Sequence, residues 1–392
     1  MNYALKKVAV IGGGAAGFFC AIRLKELSPA TDVTIFEQQH KVLAKVAISG
    51  GGRCNCTNSF AAIRDLSQAY PRGATLLKRL FKQFSPQDAY AWFEDHGVPL
   101  VVQPDECVFP KAQDSQAIID CFMQQARRHK INIVYGRRID DPISLLNDFT
   151  DVAVTVGGMQ HSQLQLPTPL STPVPSLFTF NIHDDALHQL MGIVTETIIT
   201  SIPGTKLKAD GPLLITHWGM SGPSILKLSS YAARYLAEQN YQAPLSVNWT
   251  GETNAEKVRE TLVKIMENQS DKRLIDNIHP YDLNARLWQY LLHKIQLDGK
   301  RIGDIGKKAL NRIVETLTND QYRIASRCHY KDEFVTCGGV PLDTINKHTL
   351  ESLTTPHIYF AGEVLDIDGI TGGFNFQAAW TTADAVARAI TK

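Results

Sequence analysis

The chain opens with a short apolar run that glycines interrupt, and this pattern predicts a buried strand, a turn and a helix. Residues 5–11 form the run, Gly12-Gly-Gly-Ala-Ala-Gly17 follows, and an amphipathic stretch continues to about Leu27. A strand that is covered on both faces shows continuous rather than alternating apolar positions. A second strand, 32–37, ends in the acid Glu37. This order predicts a βαβ unit whose glycine turn binds a dinucleotide.

Each glycine of this turn has its own task in a dinucleotide site. Gly12 allows the tight turn, Gly14 lets a pyrophosphate approach the backbone, and Gly17 lets helix and strand pack closely. Glu37 is placed to accept hydrogen bonds from an adenosine ribose, which favours FAD or NAD over NADP. The competing interpretation is an ordinary glycine turn inside a βαβ unit.

A second glycine-rich turn lies near the end of the chain. The apolar strand 357–360 precedes the run 361–377, and an alanine-rich helix follows from 378 to 390. Strand, turn and helix in this order present several backbone N–H groups and a helix N-terminus at one point. Such a point suits an anionic or electron-rich ligand. We expect it to converge with the turn at Gly12–Gly17.

A third polar, glycine-rich segment lies at 41–58. Ser49-Gly-Gly-Gly-Arg-Cys-Asn-Cys-Thr-Asn58 predicts a loop that wraps a phosphate and a ring edge. Two other interpretations compete: a solvated loop, or a metal half-site at Cys54-x-Cys56. No second Cys or His pair lies nearby in the sequence, so no metal site is expected.

These three runs resemble the BaiN/RdsA-type (HI0933-like) family of FAD-dependent oxidoreductases. The resemblance rests on 12–17, on 49–58, and on Ala-Gly-Glu-x-Leu-Asp-x-Asp-Gly-x-Thr-Gly-Gly-Phe-Asn-Phe-Gln at 361–377, and it covers essentially the whole chain. In the family Lys45 ends a Gly-Arg-Lys triplet, whose first two residues are Leu43 and Ala44 here. The resemblance implies an α/β fold, with a glutathione-reductase-type FAD-binding Rossmann domain interrupted by an inserted β-barrel and helical region.

The resemblance also implies where the cofactor binds. The expected FAD-binding residues are Gly12, Gly14, Ala15, Ala16, Gly17, Glu37, Gln38, Lys45, Ser49, Gly51, Gly52, Arg53, Asn55, Ile139, Gly362, Glu363, Asp366, Gly372, Gly373, Phe374 and Asn375. Backbone near Ile139 is expected to touch the adenine. Glu363 and Asp366 are expected to hydrogen-bond the ribitol or to organise the loop around it.

The region between these motifs predicts helices over 74–99 and 115–130, then a strand at 131–135. Residues 139–175 match the family least, because a β-meander is expected there and a Gln/Pro/Ser/Thr-rich stretch replaces part of it. A hairpin is therefore expected to be missing. Either the domain tolerates that loss or the activity is impaired.

Alternating apolar positions from 175 to 250, with turn signals between them, predict a small barrel. Within it Thr216-His-Trp-Gly-Met-Ser-Gly-Pro223 is expected to open a helix that runs to 236. The family carries a similar run, which makes His217 a candidate proton donor or substrate ligand. The competing interpretation is a helix start with a packed histidine.

Further along, helices are predicted over 255–267, 283–297 and 301–317, and a strand at 334–340 returns to the first domain. The predicted boundaries are 1–178 and 336–392 for the FAD domain. Residues 179–335 form the insertion, whose helical part covers about 253–320.

Composition and charge bear on the binding partners and on the cellular compartment. The chain has 392 residues, 44% of them hydrophobic, and a formal net charge of +1, so no global polyanion-binding field is expected. Residues 256–331 nevertheless carry 15 Lys and Arg against 10 Asp and Glu. Seven scattered cysteines indicate a reducing compartment, and no apolar run is long enough to span a membrane, so a cytoplasmic protein is expected.

The resemblance implies a reductase that transfers hydride from flavin N5 to a conjugated carbon–carbon double bond. Steroid enones and uracil of ribosomal RNA, which gives dihydrouridine, are the substrate classes. NAD(P)H is the expected transient reductant, since the chain has no second dinucleotide fingerprint. The alternatives are an amine-oxidase-like flavoenzyme, and a flavin-binding sensor or ribosome-associated protein with little turnover. Neither a membrane partner nor a nucleic-acid-binding motif is expected.

Overall fold

The computed structural model describes residues 6–159, 164–328 and 335–392. Its strands are β1 Lys7–Ile11, β2 Asp32–Phe36, β3 Thr57–Asn58, β4 Leu100–Val102, β5 Cys107–Pro110, β6 Asn132–Val134, β7 Asp151–Val154, β8 Ser171–Ser176, β9 Phe180–Asn181, β10 Val194–Ser201, β11 Lys208–Thr216, β12 Gly219–Ser221, β13 Ala243–Asn248, β14 Asp320–Ile324, β15 Ser326–Arg327, β16 Val335–Gly339 and β17 Ile358–Phe360.

The α-helices of the same described residues are α1 Ala15–Leu27, α2 Ala44–Gly52, α3 Ala74–Leu80, α4 Pro86–Asp95, α5 Gln116–Arg128, α6 Asp185–His188, α7 Pro223–Tyr231, α8 Ala233–Glu238, α9 Ala255–Glu267, α10 Ala285–Lys294, α11 Lys307–Asn319 and α12 Phe374–Thr391. The chain divides into two compact units. The first comprises Met1–Pro175 and Val335–Lys392, and the second comprises Ser176–Phe334. No helix in the described ranges is long and apolar enough to cross a membrane.

A five-stranded parallel sheet forms the centre of the first unit. Its strand order is β17-β7-β1-β2-β6. The chain adds strands outward from β1 to β2 and β6, then returns to add β7 on the other side. Ligands of such sheets bind outside the carboxyl ends of the strands, where the order reverses. That point lies between β1 and β7, at the glycine turn after Ile11.

The helices of this unit meet around one tryptophan. Trp380 of α12 is fully buried, and its ring centre lies 5.3 Å from that of Phe19 on α1. Phe93 of α4 and Phe122 of α5 pack against it at 5.6 Å each. Large aromatic side chains contribute much of the apolar burial in a core. The contact fixes α12, and therefore its N-terminus, against α1.

The predicted helix over 74–99 is two helices, α3 and α4. The break lies at Ser85, whose side chain accepts the N–H of Asp88 while the Asp88 carboxylate accepts the N–H of Ser85. Pro86 follows as the first helical residue. This capping box and the proline start a new helix at this point, which the apolar spacing alone does not reveal.

The segment 143–176 contains a short 3-10 turn, Ile143–Asn147, and then β7, which pairs with β1 on one side and β17 on the other. β8 forms a separate two-stranded sheet with β16. Leu5 and Phe334, the first residues of two predicted strands, lie outside the described residues. The central sheet is therefore continuous across β7 despite the short segment that follows it.

The second unit is built on a seven-stranded sheet of order β14-β13-β10-β11-β12-β9-β15. The strands that flank it at the two ends, β14 and β15, are separated by Ala325 alone. Helices α9, α10 and α11 supply buried side chains to the same apolar core as the sheet, among them Val258, Trp288 and Leu317.

The run 216–223 opens a helix as predicted, since α7 begins at Pro223, but a hairpin that was not predicted comes first. Thr216 pairs with Gly219 and Ile215 with Met220, so the run first forms a tight β-hairpin between β11 and β12. The helix begins only at Pro223, and α7 and α8 are separated at Ala232. An added Cβ at Gly219 would lie 2.4 Å from the Phe180 carbonyl oxygen, so a glycine here lets β9 approach the hairpin. The predicted helix 301–317 likewise begins later, at Lys307.

Candidate active site

The first glycine turn is shaped by close backbone contacts. Gly12 has φ +107, and an added Cβ there would lie 2.7 Å from the Thr155 carbonyl oxygen. A Cβ on Gly17 would lie 1.9 Å from the Gly12 carbonyl oxygen. A Cβ on Gly14, by contrast, would meet nothing within 4 Å. Two glycines therefore close the turn against its own surroundings, and the third faces open space.

Helix α1 begins directly beside that open space. Gly14 is its N-cap and makes no side-chain capping bond, and Ala15 is the first helical residue. The first N–H groups of a helix have no partner within the helix and carry partial positive charge. Ala16 lies next to the other end of the chain, since a Cβ on Gly362 would be 2.7 Å from the Ala16 Cβ. The first and last predicted motifs thus meet at this helix.

Glu37 at the end of β2 is tied to the backbone of the turn. Its carboxylate accepts the N–H of Gly13 and the N–H of Gln39, each at 2.8 Å. A carboxylate can accept about four hydrogen bonds, so capacity remains for two hydroxyl groups. Gln38, the next residue, is exposed. The acid is half-buried and lies beside the glycine turn.

The segment predicted as a polar loop after Lys41 is partly helical, because α2 covers Ala44–Gly52 with a break at Ser49–Gly51. The three glycines that follow Ser49 all have positive φ. A Cβ on Gly51 or Gly52 would meet nothing within 4 Å. The Arg53 guanidinium stacks over the Phe109 ring at 4.3 Å. The predicted loop is therefore an open glycine turn at a helix end.

Three side chains fasten this segment to the C-terminal turn. The Asn55 amide, oriented to satisfy its neighbours, accepts the N–H of Gly373 at 3.2 Å. The Asn58 amide donates to the Gly372 carbonyl at 3.0 Å. The Thr57 hydroxyl donates to the Gln377 side chain at 2.6 Å, and both residues are buried. Buried polar groups joined in this way are costly to separate. These hydrogen bonds therefore join the two longest predicted motifs, 49–58 and 361–377, to each other.

The C-terminal turn itself is rigid. The Asn375 side chain accepts the N–H of Gly369 at 2.8 Å and donates to the Gly369 carbonyl at 2.9 Å. The Tyr70 hydroxyl donates to the Phe374 carbonyl at 2.8 Å. Gly373 is the left-handed N-cap of α12. The helix N-terminus is thereby held in place beside the open glycines after Ser49.

Glu363 joins three segments of the site. Its carboxylate accepts the Thr336 N–H at 2.8 Å and the Lys45 ammonium at 2.9 Å. A Cβ on Gly158 would lie 3.1 Å from the same carboxylate. The side chain of Glu363 is 20% exposed and that of Lys45 is 58% exposed. Of the two roles expected for Glu363, the observed contacts are those of a residue that organises the loop.

A second ion pair braces the loop between Glu363 and Gly372. The Arg72 guanidinium bonds both carboxylate oxygens of Asp368, which is fully buried. Burial alone lowers the pKa of Arg72, but the hydrogen bonds to Asp368 outweigh it and raise that pKa. Asp366, which is half-buried, adds a second nearby carboxylate. Such bidentate pairs fix geometry as well as charge.

Ile139 and His217 complete the predicted set of site residues. Ile139 follows β6 and is half-buried, next to Asp140, whose carbonyl accepts the N–H of Gln165. His217 lies in the turn of the β11–β12 hairpin in the second unit, where it is exposed and touches Trp218 edge to face at 4.4 Å. Its exposure does not fit the packed histidine of the competing interpretation, whereas the helix start of that interpretation is present at Pro223.

The buried thiol of Cys54 is unsuited to acid–base work. Burial raises its pKa to about 12, so the thiol stays neutral at ordinary pH. Burial likewise raises the pKa of Cys107 to about 11. Sequence reasoning did not anticipate Tyr70, Arg72 or Trp380, whose indole donates to the Cys56 carbonyl at 2.8 Å. Their partners are about 300 residues away, and no local pattern reveals such pairs.

The chain matches a family model described as HI0933-like protein Rossmann domain over residues 6–389. It is 25% identical over 98% of both chains to a ribosomal RNA dihydrouridine synthase of Haemophilus influenzae. A ribosomal RNA dihydrouridine synthase of Escherichia coli is 27% identical over 97% of this chain and 96% of its own. A 3-dehydro-bile acid delta(4,6)-reductase of Clostridium scindens is 23% identical over 98% of this chain and 99% of its own.

Proposed function

The chain belongs to the HI0933-like family, and on that premise we propose that its site uses FAD to reduce a carbon–carbon double bond conjugated to a carbonyl group. The resemblance to this family, predicted from the motifs, is confirmed, and so is the class of enzyme, a flavin-dependent oxidoreductase. The observation that carries the proposal is the joining of residues 55–58 to residues 372–377, in the same unit in which Gly362 meets Ala16 of α1.

The residues present suit FAD. Gly14, Gly51 and Gly52 face open space, and two helix N-termini, those of α1 and α12, lie in the same unit. The turn at Gly12–Gly17 would hold the pyrophosphate, Glu37 the adenosine ribose, and the turn at Gly372–Asn375 the isoalloxazine ring. Helix N-termini stabilise anions and electron-rich groups by about 0.3–2 kcal/mol each.

Bound FAD would supply the hydride that adds to the double bond. The protein's own part is to stabilise charge on the ring and to fix the helix start against it. The N–H groups at the start of α12 would stabilise negative charge on the ring, and the clasp through Asn55 and Asn58 would fix that helix start against the ring. Lys45, held by Glu363, would place a cation at the same edge of the sheet. His217 remains the candidate proton donor, on the exposed hairpin of the second unit.

Uracil in RNA is the substrate class that we favour. Two relatives are named for dihydrouridine formation in ribosomal RNA and one for the reduction of a bile-acid double bond. Uracil and a steroid enone both place a carbon–carbon double bond beside a carbonyl group. The surplus of cations over residues 256–331 favours the polyanionic substrate. Enone reduction is the second candidate.

NAD(P)H is the proposed electron donor, acting transiently. Within the described residues Gly303 and Gly306 do not form a second dinucleotide fingerprint, because Gly303 lies inside a 3-10 turn, Ile302–Asp304, and does not follow a strand. If the protein provides no separate binding domain for NAD(P)H, this reductant would have to approach the flavin directly.

The inserted β-barrel is also a proposal. Its support is the pairing of one run of chain, 320–327, with both ends of the sheet. Residues 320–324 pair with β13, and residues 326–327 pair with β9. A sheet whose first and last strands are one continuous run is closed, and closure removes exposed strand edges.

Nucleoside mass spectrometry of ribosomal RNA tests the proposed function. RNA from a strain that lacks the gene should lose one dihydrouridine, and a plasmid copy should restore it. A Gly14→Ala plasmid copy, designed to weaken FAD binding, should fail to restore it. Dihydrouridine that is unchanged in the deletion strain would remove RNA as the substrate. The enone would then be tested with the purified protein.

A further inference from the structure

Two segments of the second unit form a short antiparallel ladder that carries a cluster of cations. The Ile275 N–H donates to the Lys300 carbonyl at 2.9 Å, and the Ile302 N–H donates to the Arg273 carbonyl at 2.9 Å. Leu274 and Arg301 lie opposite one another in the same ladder. We call residues 271–276, 299–304 and the first turn of α11 the basic clip. Its backbone bonds hold it together independently of its charged side chains.

Six cations lie on the basic clip, and all are exposed: Lys272, Arg273, Lys300, Arg301, Lys307 and Lys308. Three carboxylates accompany them, which leaves a surplus of three positive charges. One of the three carboxylates, that of Asp276, accepts the Gly299 N–H at 2.8 Å and so is engaged with the clip's own backbone. Much of the surplus of positive charge over residues 256–331 is therefore concentrated on the basic clip.

The cations of the basic clip differ from others in the same helical region. Lys257 pairs with Glu252 at 3.7 Å, and Lys294 pairs with the buried Asp320 at 2.5 Å. In the part of the chain that the structure describes, no carboxylate lies within ion-pair distance of five clip cations, namely Lys272, Lys300, Arg301, Lys307 and Lys308. These cations, three on the ladder and two on the first turn of α11, form a surface suited to a polyanion.

We propose that the basic clip binds the phosphate backbone of the RNA substrate. The proposal rests on the proposed function, since an enzyme that acts on one base of a large RNA needs contacts beyond that base. Phosphate contacts set the position of a protein on a nucleic acid, whereas base contacts read its sequence. The clip therefore holds the RNA while the flavin site of the first unit acts on the uracil.

Phosphate alone is the chemistry that the clip recognises. No Phe, Tyr or Trp lies within 271–276 or 299–308, so the clip offers no ring on which a base could stack. Its one exposed large apolar side chain is Leu274, at 39% exposure. Membrane-surface helices instead present a whole apolar face beside their cations. RNA therefore suits the clip better than an anionic membrane does.

The test is a salt series of RNA binding by the FAD-loaded full chain, followed by the fluorescence anisotropy of a labelled, unmodified ribosomal RNA fragment. The variants are Lys300→Gln with Arg301→Gln, and Lys307→Gln with Lys308→Gln. The matched control, Lys78→Gln with Lys82→Gln, removes two exposed lysines of the first unit. Flavin absorbance and Tm show that each protein is folded and loaded.

Each clip variant should bind more weakly than wild type on every RNA sequence tried. The slope of log affinity against log salt should fall by about 1 for each cation removed, thus by about 2 per variant. The control should keep the wild-type slope. Slopes that are equal in all four proteins would overturn the proposal, as would equal losses in the control. Binding to anionic vesicles but not to RNA would overturn it too.

The two proposals fail in distinguishable ways. If the clip variants lose RNA binding and the deletion strain keeps its dihydrouridine, the clip stands as an RNA-binding surface and uracil in RNA falls as the substrate. If the strain loses dihydrouridine and the clip variants bind RNA as wild type does, the function stands and the clip falls.

Discussion

Gly14 and Gly17 allow the proposed cofactor site to be tested apart from the fold. Both are glycines of one turn, and alanine adds a single methyl group to each. At Gly17 that methyl would lie 1.9 Å from the Gly12 carbonyl oxygen and 2.7 Å from the Thr155 hydroxyl. At Gly14 it would meet nothing within 4 Å, and its φ of −91 is allowed for any residue. Gly17→Ala therefore perturbs the packing of the turn, whereas Gly14→Ala only fills open space.

The structure sets the size of each effect. Ordinary contact begins near 3.4 Å, so Gly17→Ala must separate strand and helix by about 1.5 Å. Overpacking of this kind costs about 3 kcal/mol, which lowers Tm by roughly 6–12 °C. Gly14→Ala should lower the Tm of the apoprotein by only about 2–4 °C, because alanine is a poorer N-cap than glycine by about 1 kcal/mol. It should weaken FAD binding roughly ten- to a hundredfold, through one or two lost hydrogen bonds to a charged group.

Apoprotein should be titrated with FAD while the quenching of flavin fluorescence is followed, and thermal unfolding should be recorded in parallel. A Gly14→Ala protein that binds FAD as wild type does would show that no pyrophosphate approaches this turn. A Gly17→Ala protein of unchanged Tm would show that helix and strand are not in the contact described.

Three further predictions follow from named contacts. Glu37→Arg should abolish FAD retention, because it places a cation where an acceptor is needed, and Glu37→Gln should retain more flavin; equal flavin content after gel filtration would contradict this. Thr57→Val should lower the unfolding free energy by about 1–3 kcal/mol in a denaturant titration, because the buried Gln377 oxygen loses its donor; an unchanged midpoint would refute the clasp. Burial lowers the pKa of His96, but hydrogen bonds to Glu26 and to the Trp92 carbonyl outweigh it and raise that pKa above 6.5. The folded value therefore exceeds the unfolded one, so the contact stabilises the protein below pH 6.5 and is lost as pH rises through the raised value. Tm should fall as pH rises above 6.5, and His96→Gln should flatten that fall. An identical fall in both proteins would refute the assignment.

Much of the first unit could be predicted because its information is local. A glycine turn between an apolar strand and a helix, with an acid at the next strand end, defines a Rossmann unit within forty residues of sequence. The Rossmann prediction is confirmed, and so is the family. The individual FAD-binding residues, His217 and the domain boundaries stay predictions. The pairing of residues 55–58 with residues 372–377 was expected only as a convergence, since spacing does not specify hydrogen-bond partners.

The errors have physical causes. The apolar positions of 74–99 continue across Ser85, so periodicity hides a break that one capping box creates. The hairpin that precedes the helix start at Pro223 was not predicted, because it depends on the close approach to β9 that Gly219 permits. The ion pair of Arg72 with Asp368 joins residues 296 positions apart, and only the fold brings them together.

The most direct test of the central claim follows the flavin and the product in one sample. The purified protein, loaded with FAD and reduced without oxygen, should lose its yellow absorbance. Addition of unmodified ribosomal RNA should restore that absorbance, with one dihydrouridine formed per flavin reoxidised. The donor can be dithionite or NADPH, so the result does not depend on the natural reductant. A protein that cannot be loaded with FAD, or a reduced flavin that neither the RNA nor a conjugated enone reoxidises, would contradict the account.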